Sequence, residues 1–224
     1  MSVEPGLRQR KKERTRQAIA ETARTLFAER GFEAVTVAEI ARAAEVSEAT
    51  VFNYFPTKED LFYGQMEAFE AELVEAVRER EPGESVPAAF RRFVLERSER
   101  LAAEEVAELI ATAGRIITAS PALQAREREI VAQYARALGR LIAEETGRSA
   151  DDVEAQAVAN ALMGAQRALV DYVREKALAG VRGPGLARDM RSQARRAFDR
   201  LERGLADYGT RRAGDTEVPP PELS

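Results

Sequence analysis

Residues 36–62 read TVAEIARAAEVSEATVFNYFPTKEDLF, and the punctuation of this stretch decides the fold. Thr36 is a residue type that caps helix N-termini, and Glu39, three positions on, completes a capping box. Val37, Ile40, Ala41 and Ala44 then fall on one face of a short helix. After Glu45 and Val46, Ser47 supplies a second cap, and a third helix is expected through Thr50, Val51 and Phe52 to about Tyr54. Pro56 ends it and biases Phe55 away from the helical region. Thr57 caps a fourth helix with an acidic first turn, Glu59 and Asp60, and an apolar stripe of Leu61, Phe62, Met66, Phe69, Leu73 and Val77. Unbroken over 57–80, that helix is about 36 Å long, more than the width of a three-helix domain, and reaches into whatever follows.

Upstream, Ile19, Ala23, Leu26 and Phe27 recur at helical spacing over 12–29, and Gly31 stands where a helix-ending glycine belongs. Residues 81–85 (EPGES) form the first strong breaker downstream. Beyond it the pattern predicts helices over 87–104, up to Ser120 and Pro121, over 123–145, and then two long ones over 151–178 and 186–208. The tail 210–224, with three consecutive prolines, reads as disordered.

The 224 residues are 45% hydrophobic and 32% charged, enough to bury a real core. Aromatics make up only 6% while Ala, Glu, Arg and Leu dominate, so an all-α fold is expected. Cys and His are both absent. Their absence removes thiolate chemistry, the commonest general base and the commonest metal ligand, leaving carboxylate, Lys, Ser or Tyr chemistry for any enzyme. No cofactor or metal is expected. No apolar run suits a membrane span, and a cytoplasmic protein is expected.

The formal net charge is −4, yet Arg8, Arg10, Lys11, Lys12, Arg14 and Arg16 crowd residues 7–16 against Glu13 alone. A basic arm on an acidic chain suits contacts with DNA confined to one end, and equally a solvated terminus. Two short helices joined by a three-residue turn supply the geometry in which one helix lies in the major groove while the other braces it.

The stretch 36–62, preceded by LFAERGFEAV (26–35), resembles the signature of the TetR family of bacterial repressors. The resemblance covers the first third of the chain. It implies an N-terminal three-helix helix-turn-helix domain (1–56, with the basic arm), a connecting helix (57–80), and a C-terminal helical ligand-binding and dimerisation domain (81–209). Its implied partners are double-stranded operator DNA, a small-molecule effector and a second copy of the chain, paired through the last two long helices. One departure is Glu45, where the family commonly has Gly; in a left-handed conformation it costs about 1–2 kcal/mol. The C-terminal half is loosely similar to the acyl-CoA-sensing members.

Carried onto these positions, the resemblance implies that Thr36 and Ser47 cap their helices and meet the DNA backbone. Glu48, Ala49, Thr50 and Asn53 face the bases, Asn53 as the best adenine reader. Tyr54 and Lys58 match phosphate-contacting positions, and Lys11, Lys12 and Arg16 add sequence-independent affinity. Val51 and Phe55 belong to the core by spacing, whereas Phe52 fits either face.

For the effector, Phe90, Phe93, Val94, Leu109, Ile110, Ala113, Ile117, Tyr134 and Met163 are candidate lining residues, or plain core. Arg115 and Arg167 interrupt apolar stretches and suit a carboxylate or phosphate, with surface placement or an ion pair with Asp171 as the favoured plain alternative. Ala157, Ala161 and Ala165 with Val158, Leu162 and Leu169, and Met190, Ala194, Ala197, Phe198, Leu201 and Leu205 on the last helix, are the candidate dimer stripes. A helical enzyme, a DNA-compacting protein and an activator of the same fold remain alternatives.

Overall fold

The computed structural model describes residues 7–205 apart from position 65, with side chains for 10–64, 69 and 71–204. Ten α-helices follow one another: α1 (Leu7–Arg30), α2 (Val37–Ala43), α3 (Glu48–Tyr54), α4 (Lys58–Tyr63), α5 (Met66–Arg78), α6 (Val86–Arg97), α7 (Glu104–Ala119), α8 (Pro121–Glu145), α9 (Val153–Leu178) and α10 (Gly183–Leu205). A 3-10 helix, Ser98–Ala102, follows α6, and the described residues contain no strand. The expected last turn to Tyr208 and the disordered tail over 210–224 lie outside the described residues.

The chain forms two compact units, Met1–Ala68 with Thr112–Glu127 and Phe69–Ala111 with Arg128–Ser224. In the first, α1 packs on α2 and α4, and α2 on α3. Its core is Ile19, Ala23, Phe27, Phe32, Val35, Ile40, Val51, Phe55 and Leu61, the burial of each side chain larger than Ala contributing about 1.5–3 kcal/mol. Phe27, Phe32 and Phe62 cluster with ring centroids 5.0–6.4 Å apart. The corner between α7 and α8 belongs to this unit: the Tyr63 hydroxyl donates to the Leu123 carbonyl at 3.1 Å, the Ser120 hydroxyl to Glu33 at 2.6 Å, and Arg126 Nη2 lies 2.8 Å from Asp60 Oδ1.

The unbroken helix expected over 57–80 is in fact two. Gly64 lies so close under the Phe55 ring that a Cβ there would sit 2.6 Å from Phe55 Cε1 and 2.9 Å from the Asp60 carbonyl oxygen. Core packing thus overrides a sequence pattern that runs smoothly through the break. Likewise α6 is shorter than expected and gives way to the 3-10 turn at Ser98, whose hydroxyl donates to the Leu95 carbonyl at 2.5 Å.

In the second unit α10 packs on α9, α6 and the 3-10 turn. Phe90 and Phe198 meet with centroids 5.5 Å apart. Arg80 is buried; it donates to the Val77 and Glu84 carbonyls and pairs with Glu145. Met190, Ala194 and Phe198 on α10 and Val158, Leu162 and Leu169 on α9, expected on a dimer seam, are instead buried in the protomer's own core, where α10 packs on α9 and α6.

Candidate nucleic-acid interface

The interface is built on two capped helices. Thr36 closes a reciprocal capping box: its hydroxyl accepts from Glu39 N at 3.2 Å, and Glu39 Oε2 accepts from Thr36 N at 2.8 Å. Glu39 also takes Arg30 Nη2 at 2.7 Å. These bonds, the Thr36 backbone N–H foremost and then Arg30, hold the Glu39 carboxyl at a pKa of about 2.

Helix α2 ends in a Schellman motif. Val46 N donates to the Ala41 carbonyl at 2.9 Å and Glu45 N to Arg42 at 3.2 Å, with Glu45 at φ 56°. Glu45, where the family commonly has Gly, thus adopts the left-handed conformation. Ala41 is buried, its small side chain admitting the close crossing of α2 and α3.

The Ser47 hydroxyl accepts from Thr50 N at 3.1 Å and lies 2.8 Å from the Thr50 hydroxyl, so both are engaged in the cap itself. Val51 and Phe55 are buried and anchor α3. Its outward face presents Glu48, Ala49, Phe52 and Asn53, with Phe52 47% exposed and Tyr54 half-buried beside them.

Lys58, at the start of α4, lies with its ammonium 4.2 Å from the Phe32 ring centroid. That position fixes the stem and leaves other N–H donors for an anion. Arg16 stacks on Phe55 with Cζ 5.0 Å from the ring centroid, while Lys11 and Lys12 are exposed. Sequence reasoning under-weighted Arg10 and Arg14, which with Lys11 line an open groove against Ala44 and Val46 beside the turn. Their spacing of four along α1 was the available signal.

The effector candidates are divided between the units. Phe90, Phe93, Val94 and Met163 are buried in the second, where Ile110 is half-buried. Ile117, buried, and Arg115, exposed with Nη2 donating to the Thr112 hydroxyl at 2.9 Å, belong to the first. Arg167 Nε pairs with Asp171 at 2.9 Å, on the rim of an open groove between α8 and α9 that Met163 also lines. No single described helix is long and apolar enough to cross a membrane.

A braced, doubly capped helix pair carrying an exposed reading face, a basic arm beside it and a second helical unit define a helix-turn-helix DNA-binding regulator. The model for bacterial regulatory proteins of the tetR family matches residues 19–63, and that for the MftR C-terminal domain matches residues 84–206. The chain belongs to the TetR family of transcriptional regulators. It is 31% identical over 215 residues to the HTH-type transcriptional regulator TcmR of Streptomyces glaucescens, covering 81% of this chain and 92% of that one. It is 26% identical over 182 residues to MftR of Mycobacterium tuberculosis, assigned as a mycofactocin biosynthesis regulator, covering 81% and 91%. Among solved structures, a protein of Mesorhizobium loti assigned to TetR-family regulators superposes with a TM-score of 0.53 at 16% identity, covering 86% of this chain and 97% of that one.

Proposed function

We propose that the protein is a dimeric repressor that holds a short palindromic operator and lets go when a small apolar or amphipathic effector enters its second unit. The observation that carries the DNA-reading half is the outward face of α3, with Glu48, Ala49, Phe52 and Asn53 exposed above a buried Val51 and Phe55. On this reading Asn53 contacts a base edge, Phe52 a thymine methyl or sugar, and Tyr54, Lys58 and the arm the phosphates. The recognition helices of a dimer then lie about 34–36 Å apart.

Pairing through α9 fits the surface chemistry better than pairing through α10. Outward on α10 stand Arg188, Arg195, Arg196, Arg200 and Arg203 with only Asp189 and Asp199 among them, a face of net positive charge that a two-fold axis would set against its own copy. Outward on the first half of α9 stand Ala157, Asn160, Gly164 and Ala168, with Val153 81% exposed, a stretch of small uncharged residues that lets helices approach closely before Asp171 and Glu175 follow on the same side.

Selection from random duplexes followed by footprinting tests the reading. A short palindrome is expected; binding indifferent to sequence would refute it. Asn53→Ala is expected to lose about 1–3 kcal/mol of discrimination at one base position, while Tyr54→Phe and Lys58→Ala weaken binding to all sequences alike. An effector screen of acyl-CoAs, fatty acids and neutral apolar compounds is expected to yield one that weakens operator binding roughly 5- to 150-fold, the range of a 1–3 kcal/mol coupling.

A further inference from the structure

We infer that Arg97 in the second unit is the anchor for an aromatic acid, whose carboxylate takes the place of Glu72. The inference rests on the reading that this unit receives the effector. Arg97 closes α6, its Cζ 4.3 Å from the Phe93 ring centroid and 5.5 Å from that of Phe69. The two rings meet edge to face with centroids 5.4 Å apart, and Tyr134, buried, lies 6.1 Å from Phe69. A guanidinium held over aromatic faces is fixed in place, yet it keeps the N–H groups around its rim for a fork of bonds to a planar carboxylate.

Its present partner is Glu72 on α5. The two sides of this pair are unequal: the Arg97 side chain is 26% exposed and Glu72 53%. Burial, with Arg100 nearby, draws the Arg97 pKa below its usual value, so this cation gains from an anion that excludes water better than Glu72 does. Glu72, already half in solvent, returns to water at little cost. The Arg80–Glu145 pair of the same unit differs, its arginine buried at 1% and its carboxylate largely covered at 14% exposure, and is therefore not exchangeable. Stacking on Phe69 and Tyr134 favours an aromatic body over an aliphatic one. Exchange also removes the ion pair that ties α5, the helix within which the chain leaves the first unit, to α6, leaving the Phe69–Phe93 contact as the link between them.

Titration calorimetry of the full chain with 2-naphthoate and with its neutral amide, 2-naphthamide, tests the anchor, with circular dichroism melts confirming that each variant is folded. The acid is expected to bind, and the amide to bind at least about tenfold more weakly. Arg97→Lys keeps the charge but loses the fork and is expected to weaken the acid by about tenfold. Glu72→Gln removes the competitor at an exposed position and is expected to tighten it. Equal affinity for acid and amide, an unchanged Arg97→Lys, a weakened Glu72→Gln, or no binding at millimolar acid would each overturn the anchor. Operator release is read in parallel. Acid binding through Arg97 without release upholds the anchor and counts against the regulatory reading, whereas release by a neutral compound with no acid bound does the reverse.

Discussion

At Glu45 a non-glycine residue occupies φ 56°, the only such residue among those described, and the strain sits in the turn that sets the angle between α2 and α3. The left-handed conformation costs about 1–2 kcal/mol, partly offset because glycine loses more entropy on folding. Glu45→Gly is therefore expected to stabilise the protein by about 0.5–1 kcal/mol, read as a higher melting temperature; a lower one would mean that the Glu45 side chain contributes something beyond the turn. Two positions before α2's first full turn closes, the capping box makes a second prediction. The Glu39 carboxyl titrates at about 2 in the folded protein against 4.5 as a free group. Its pKa is depressed, so its contribution is complete above about pH 4.5 and is lost as pH falls toward 2. Melting temperatures measured across that window are expected to fall more steeply for the wild type than for Glu39→Gln. Parallel curves would show that the box contributes nothing to stability.

Helix ends, rather than helix interiors, position the functional elements. At the break between α4 and α5, Gly64 leaves room for the Phe55 ring, which in turn backs α3. Gly64→Ala places a methyl 2.6 Å from Phe55 Cε1 and 2.9 Å from a backbone oxygen, and only the ring can give way. A loss of about 1–3 kcal/mol is expected, with DNA affinity falling further than stability alone accounts for. The other end of α5 is held by Arg80, whose guanidinium satisfies the Val77 and Glu84 carbonyls and meets Glu145. Arg80→Leu strands these acceptors and a partly buried carboxylate, and denaturant unfolding is expected to register a loss of about 3–5 kcal/mol. A loss under 1 kcal/mol would mean that water replaces the arginine.

At the scale of the molecule, the distribution of charge separates two helices that the hydrophobic pattern treats alike. Gly164 has open space where a Cβ would project, so the protomer tolerates a side chain there. Gly164→Glu is expected to convert the dimer to monomer in sedimentation equilibrium and to abolish binding to a full palindrome. Arg196→Glu on the exposed face of α10 is expected to leave the dimer intact. The opposite pattern would move the seam to the last helix.

By itself the amino-acid order determined the helical class, the caps at Thr36, Ser47 and Thr57, and the buried side of α3 at Val51 and Phe55. All of these are local: a hydroxyl capping an N–H three residues on, or a 3.6-residue period, requires nothing distant in the chain. The tertiary structure alone decided where α5 begins, that the α7–α8 corner packs with the first unit, that the apolar stripe of α10 faces inward, and that Arg97 rather than Arg115 sits against aromatic rings. Each depends on which of several similar apolar faces meets which partner. Periodicity marks a face as apolar but carries no information about what covers it, because burial against one's own chain and burial against a second copy are the same hydrophobic event.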